Sequence, residues 1–209
     1  MWWSVVRESV DWPPPIGGWD GVTPGLFLQQ ARLWATGRWW QWRIPLLLYL
    51  AWDARTHLQD PESRGLFGGV TFGVHEFGHL LFAFLGEFMA VAGGSLNQVL
   101  IPVATAVLFY HYRDFFGIAV AGTWLASSLF DLAVYIADAR SFDLDLVSFG
   151  ENAVHDWAWL LGRLHLLPYD LRIAAFTRGI GVLILIGSLL FGTWLCLQMG
   201  SPQRESVSS

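Results

Sequence analysis

Apolar runs long enough to enter a bilayer, and nearly free of charge, dominate the chain from about residue 66 onward. Lipid tails offer no partner to a backbone N–H or C=O, so such a chain is confined to helices that satisfy their own hydrogen bonds. Four runs stand out, at residues 66–92, 97–112, 115–137 and 179–197. A hydrocarbon core asks for about 20 apolar residues per crossing. Three of the runs reach that length; the run 97–112 is shorter and carries Pro102, which predicts a tilted or tucked helix. Only 14 % of the 209 residues are charged and 54 % are apolar, whereas soluble domains average about 25 % charged. The expected fold is an all-α, polytopic membrane bundle of about four to five transmembrane helices.

Upstream, residues 26–52 mix Arg32, Arg38 and Arg43 with Trp34, Trp39, Trp40 and Trp42. Tryptophan and arginine together favour the headgroup region. This predicts an interfacial helix leading into a fifth crossing. Pro13, Pro14, Pro15, Gly17 and Gly18 mark residues 1–24 as an irregular leader that lacks the basic start and apolar centre of a cleaved signal. Residues 25–198 then form one membrane-embedded domain, and residues 199–209 a polar, disordered tail. The short connections 93–96 and Arg113–Asp114 predict that the three central helices are antiparallel neighbours. The mixed stretch 140–170 reads as an interfacial or re-entrant helix.

The charge balance excludes a nucleic-acid binder. The formal net charge is -5 and all 12 basic residues are arginine, leaving no lysine to build a basic patch. The lone cysteine, Cys196, excludes an intrachain disulfide framework and a cysteine-based zinc knuckle. The partner this composition demands is the lipid bilayer, with membrane-protein substrates or partner helices beside it. If the Trp-rich segment crosses, most arginines fall on one side, which the positive-inside rule makes cytoplasmic. The expected location is a bacterial inner membrane.

The sharpest chemical signal is His75-Glu76-Phe77-Gly78-His79. On a helix, positions i and i+4 share a face, so both imidazoles can grip one metal ion, with Glu76 beside them to take a proton from water. HExxH also arises by chance in soluble helices. Here the setting is apolar, between Val70-Thr71-Phe72 and Leu80-Leu81-Phe82. Each ionisable group in such a helix costs a few kcal/mol unless it is partnered or wet. Zinc is the expected cofactor, although two histidines alone also admit other first-row metals.

A third ligand must come from elsewhere in the chain. Trp124, Ser127, Asp131, Tyr135 and Asp138 recur near the 3.6 period, as do Gln98, Thr105 and Tyr112, giving a polar bundle interior. Glu87 lies on nearly the same face as Glu76. The candidates for third ligand are Asp131 and His155, with Glu87, Gln98, Asp138 and Asp156 as supporting polar groups. Counted from residue 93 at about 1.5 Å per residue, His79 lies roughly 20 Å deep. Asp131, counted from Ala139, is only about 12 Å deep on that scale. His155 can equally be an interfacial residue near a helix N-cap. Asp156 could orient an imidazole only if the chain bends back. His57, His111 and His165 read as surface or interfacial residues, and Asp138-Ala139-Arg140 as a helix end at the headgroups.

HEFGH within a hydrophobic helix resembles the site-2 protease class of intramembrane zinc metalloproteases. That resemblance implies His75 and His79 as zinc ligands and Glu76 as general base. The family's remaining ligand is the aspartate of an Asp-Gly pair on a later membrane helix. Here Asp131 is followed by Leu132, and Asn97 and Pro102 lie on a different helix from it. The segments GGSLNQ, DLAVYIADAR and HDWAWLLGRL resemble a bacterial family of multi-spanning membrane proteins whose activity is uncharacterised.

The leading functional expectation is therefore a membrane-embedded zinc-dependent hydrolase, most simply a metallopeptidase. A lipid amide or ester presents the same carbonyl to an activated water. The alternative is a non-catalytic subunit of a larger bacterial membrane complex, its aromatic segments gripping lipid, pigment or partner helices. A proton path through Glu87 and Asp131 ranks last, since the chain is short and no inverted repeat is visible.

Overall fold

The computed structural model describes residues 23–60, 63, 65–144 and 155–201. Among them are seven α-helices and no strand. Helix α1 (Pro24–Ala35) opens with Pro24 at a position where no amide donor is needed, and Thr23 Oγ1 accepts from Leu26 N at 3.3 Å. Helix α2 (Arg43–Gln59) follows. Its Asp53 carboxylate then holds the next connection by accepting from Leu66 N at 2.9 Å.

Helix α3 (Gly68–Phe82) ends in a 3-10 turn, Ala83–Leu85, and at Gly86, whose φ of 99° suits only a glycine. Helix α4 (Glu87–His111) returns antiparallel to α3. Helix α5 (Phe115–Ala137) starts where Asp114 Oδ1 accepts from Gly117 N at 3.0 Å. The short α6 (Asp156–Arg163) precedes a 3-10 turn, Leu167–Tyr169, and the long α7 (Asp170–Met199).

Three of these segments are long and apolar enough to cross a membrane: α4, α5, and α7 with its preceding turn. Of their apolar windows, 61 % of α5 is buried, against 33 % of α4 and 28 % of α7, so α5 is the central helix. Helices α5 and α7 run antiparallel. Phe115 and Phe116 pack with Leu195 and Cys196 at one end, and Ile136 and Ala139 pack with Ala174 at the other. There Arg140 closes a fork on the buried Asp170 carboxylate, with contacts of 2.6 and 2.7 Å.

The structure redraws the boundaries read from the sequence. The run 66–92 is two helices that turn at Gly86, and the stretch 93–96, expected as a connection, lies inside α4. Two glycines and a serine suggest a turn when read locally. Here they instead let another helix approach, so α4 gains the length its expected counterpart lacked. The Trp-rich segment divides into α1 and α2, and α7 begins well before residue 179. The further crossings expected from sequence would have to come from α2 and α3, of 17 and 15 residues. The irregular leader up to residue 22, the segment 145–154 with Glu151, and the tail from residue 202 lie outside the described residues.

Helices α3 and α4 touch backbone to backbone. A Cβ on Gly78 would meet Gly93 O at 2.3 Å, and one on Gly93 would meet Gly78 O at 2.5 Å. Small residues at such a crossing replace the hydrophobic drive that lipid withholds. On the same helix, a Cβ on Gly73 would meet nothing within 4 Å. Gly78→Ala is expected to destabilise the protein by about 1–3 kcal/mol. Gly73→Ala should be neutral or stabilising by about 0.5–1 kcal/mol. Thermal unfolding in detergent checks the pair.

Candidate metal centre

The α3–α4 contact brings His75 and His79 against the start of α4. Both imidazoles use their Nδ1 for the protein. His75 Nδ1 lies 2.9 Å from Gln98 Oε1, and His79 Nδ1 lies 2.8 Å from the Ala90 carbonyl. Gln98 Nε2 donates to Ser128 O at 3.0 Å, which fixes the amide so that Oε1 faces the histidine. Both Nδ1 partners are acceptors, so each Nδ1 carries the proton and donates it. In a neutral ring the Nε2 lone pair is then free.

Both Nε2 atoms face one carboxylate oxygen. Asp156 Oδ2 lies 3.1 Å from His75 Nε2 and 3.3 Å from His79 Nε2. Without a cation between them, this arrangement requires a second proton on each ring, placing two imidazolium charges in a half-buried site. A metal ion removes that requirement. Tetrahedral zinc with bonds of about 2.0–2.1 Å sets ligand atoms about 3.3 Å apart, close to the two Asp156 contacts here. One ligand atom from each of the three residues lies within 4.8 Å of the others. The group is a buried His-His-Asp set that could hold a metal ion. Burial would raise the Asp156 carboxyl, but the facing imidazoles outweigh it and hold the group below its ordinary value. It is therefore an anion at neutral pH.

Asp156 is the first residue of α6, and five contacts fix that helix. The Asp156 amide donates to Tyr135 Oη at 3.1 Å. Trp157 Nε1 donates to Ser95 Oγ on α4 at 3.1 Å. Arg163 reaches Glu87 at 3.4 Å across the surface. His155 is the N-cap: its Nδ1 accepts from Ala158 N at 3.3 Å, and its Nε2 donates to Asp138 Oδ2 at 3.2 Å.

Gly94 on α4 completes the cradle. A Cβ there would sit 2.6 Å from Nε2 of both His75 and His79. Only a residue without a side chain leaves the space in front of the two lone pairs open. The donor set, the committed Nδ1 protons and this space fit a metal ion. Glu76, half-buried, forms no hydrogen bond or ion pair among the described residues, while its charge acts on both His79 and Tyr135. Its carboxylate is thus left without a structural task beside the ligand group.

The sequence candidates for third ligand occupy other places. Asp131 faces the buried His57, whose Nε2 lies 3.0 Å from Asp131 Oδ1 but out of line for a hydrogen bond. His57, read from sequence as a surface residue, is thus inside the bundle. His155 has both ring nitrogens engaged and a side chain that is 0 % exposed, which leaves it no lone pair for a metal. Asp156, expected at most to orient an imidazole, is the carboxylate the two histidines face. Glu87 is no interior group. The turn at Gly86 makes it the first residue of α4, exposed, where an acid suits the helix dipole. Gln98 supports His75 as a polar partner, and Asp138 organises the chain after α5.

No family model matches this chain, nor does any curated protein or solved structure. The local geometry therefore carries the functional argument.

Two outcomes test the centre. Gly94→Ala should abolish metal binding while leaving helix content intact, as read by metal analysis and circular dichroism. Asp138 gives a pH signature. Burial would raise its carboxyl, but hydrogen bonds from Ser141, the Asp143 and Leu144 amides and His155 hold it below the ordinary value. A carboxyl depressed on folding contributes stability above its unfolded pKa of about 3.9, and that contribution drains as pH falls through the folded value. Thermal unfolding should lose stability below about pH 4 in the wild type, and the loss should flatten in Asp138→Asn.

Proposed function

We propose that the protein is a membrane-embedded metal-dependent hydrolase, most simply a zinc metallopeptidase, in which His75, His79 and Asp156 hold the metal and Glu76 is the general base. One observation carries this reading: two imidazoles whose Nδ1 atoms face protein acceptors turn both Nε2 atoms toward one buried carboxylate oxygen. Zinc in such a set ionises water near neutral pH and polarises a carbonyl.

The remaining roles belong to the chain. Gln98 and the Ala90 carbonyl hold the two rings in the tautomer that ligates. Tyr135 fixes the Asp156 backbone. Glu76, next to His75 on α3 and free of structural partners, takes the proton of the attacking water and passes it to the leaving group. Gly94 lies about 10 Å along α4 from its first residue, at 1.5 Å per residue, so the centre sits below one end of the bundle. That depth suits a carbonyl in a partly unwound transmembrane peptide, and equally one near the head of an amide- or ester-linked lipid. The resemblance of HEFGH to site-2 proteases supports the peptide.

The experiment is metal analysis and turnover in mild detergent. The wild type should bind about one zinc per chain, which His75→Ala/His79→Ala and Asp156→Ala should each lose. Glu76→Gln should keep the zinc and lose about 10²–10⁴-fold in hydrolysis of a transmembrane-helix peptide. Zinc retained in Glu76→Gln with unchanged turnover would show the metal to be structural.

A further inference from the structure

At the end of the bundle away from the metal centre, a cavity of about 460 Å³ is lined by Trp34, Arg38, Arg43, Tyr112, Arg113 and Asp114. It forms where α1 ends, α2 begins, α4 ends and α5 begins. Gly94 and Tyr112 are about 27 Å apart along α4, so the two sites are separate.

Arg38 and Arg43 both face the Asp114 carboxylate, whose Oδ1 is committed to the α5 cap. Arg43 is 8 % exposed, and its Nε has no hydrogen-bond partner among the described residues, although one terminal nitrogen donates to Trp39 O. It is also the first residue of α2, where the helix dipole disfavours a cation and no side chain caps the helix. Burial lowers the Arg43 pKa, and the neighbouring Arg38 charge lowers it further.

The arginine faces are taken, and each edge spends one donor on a backbone carbonyl. Arg43 lies over the Trp42 ring at 4.2 Å, and Arg38 over Trp34 at 4.5 Å. Arg38 spends one donor on Trp34 O at 2.6 Å. Guanidiniums stacked on indoles present a planar fork of N–H groups, the arrangement that suits phosphate oxygens. Trp39, Trp42 and Tyr112 are exposed around the cavity, as the aromatic belt of a bilayer interface would be.

We infer that this cavity is a phosphate-binding site, with Arg38 and Arg43 as its principal donors, that takes the phosphate of an anionic lipid headgroup. The anion balances the buried Arg43 charge and ties α1 and α2 to the ends of α4 and α5. The site stands independently of the hydrolase reading.

The test uses the full chain in neutral detergent, with dioleoyl-phosphatidylglycerol, dioleoyl-phosphatidylcholine and inorganic phosphate as probes. Tryptophan fluorescence reports binding, because Trp34 and Trp42 stack on the two arginines. Phosphatidylglycerol should bind saturably and at least about tenfold more tightly than phosphatidylcholine, a charge-assisted contact's worth. Arg38→Gln and Arg43→Gln should each weaken it by about tenfold or more. Arg172→Gln, at the start of α7 beside Tyr169, should not. Arg38 is exposed, so its variant keeps the test sound if Arg43→Gln fails to fold. Saturable binding of inorganic phosphate that excludes the lipid, and is lost in Arg38→Gln, would keep the phosphate site and name the free ion as occupant. Equal binding of the two lipids, or wild-type binding by Arg38→Gln, would overturn the inference.

Discussion

The contact between Gly78 and Gly93 is the constraint on which the rest of the centre depends. With any side chain at that crossing, α3 and α4 would stand farther apart. His79 would then lose the Ala90 carbonyl and His75 would lose Gln98. The imidazoles would be free to rotate, and the tautomer that leaves both Nε2 lone pairs facing Asp156 would not be fixed. One backbone contact thus supports packing and chemistry together, as membrane helices permit when small residues replace bulky ones.

The polar groups inside the bundle form linked sets, with few acting alone. Asp138 gathers the chain leaving α5 and accepts from His155. His155 caps α6, and the residue after it supplies the carboxylate that faces the histidines. Tyr135, on the same face of α5 as Asp138, accepts from the Asp156 amide. A side chain that looks structural is therefore one hydrogen bond from the ligand group. In a low-dielectric interior, such chains stabilise only when every member is satisfied; Glu76 stands beside them with no hydrogen bond or ion pair among the described residues.

Much of the fold was legible from composition and periodicity. The boundaries of α5 follow from its apolar run between the Arg113–Asp114 connection and the charges beyond Ala137. The division at Gly86 was not legible, because Gly93-Gly94-Ser95 offered a more obvious break. Glycine marks both turns and close helix approaches, and only a neighbouring helix distinguishes them. The depths read for His79 and Asp131 presume a turn at residues 93–96, which instead lie inside α4. Of the His-His-Asp group, His75 and His79 are legible from their spacing. From sequence Asp156 reads only as a supporting group, since it lies 81 residues from His75 and no local pattern links them.

By itself, the sequence determined that the chain is helical and membrane-bound, and that one helix face carries two histidines four residues apart. Those properties follow from apolar content and helical period, which are local. Tertiary structure alone decided which acid meets the histidines, which acceptor each imidazole Nδ1 faces, and that the buried Arg43 Nε has no partner among the described residues. Each depends on groups far apart in the chain meeting within a few ångströms, and that distance is set by how closely helices pack.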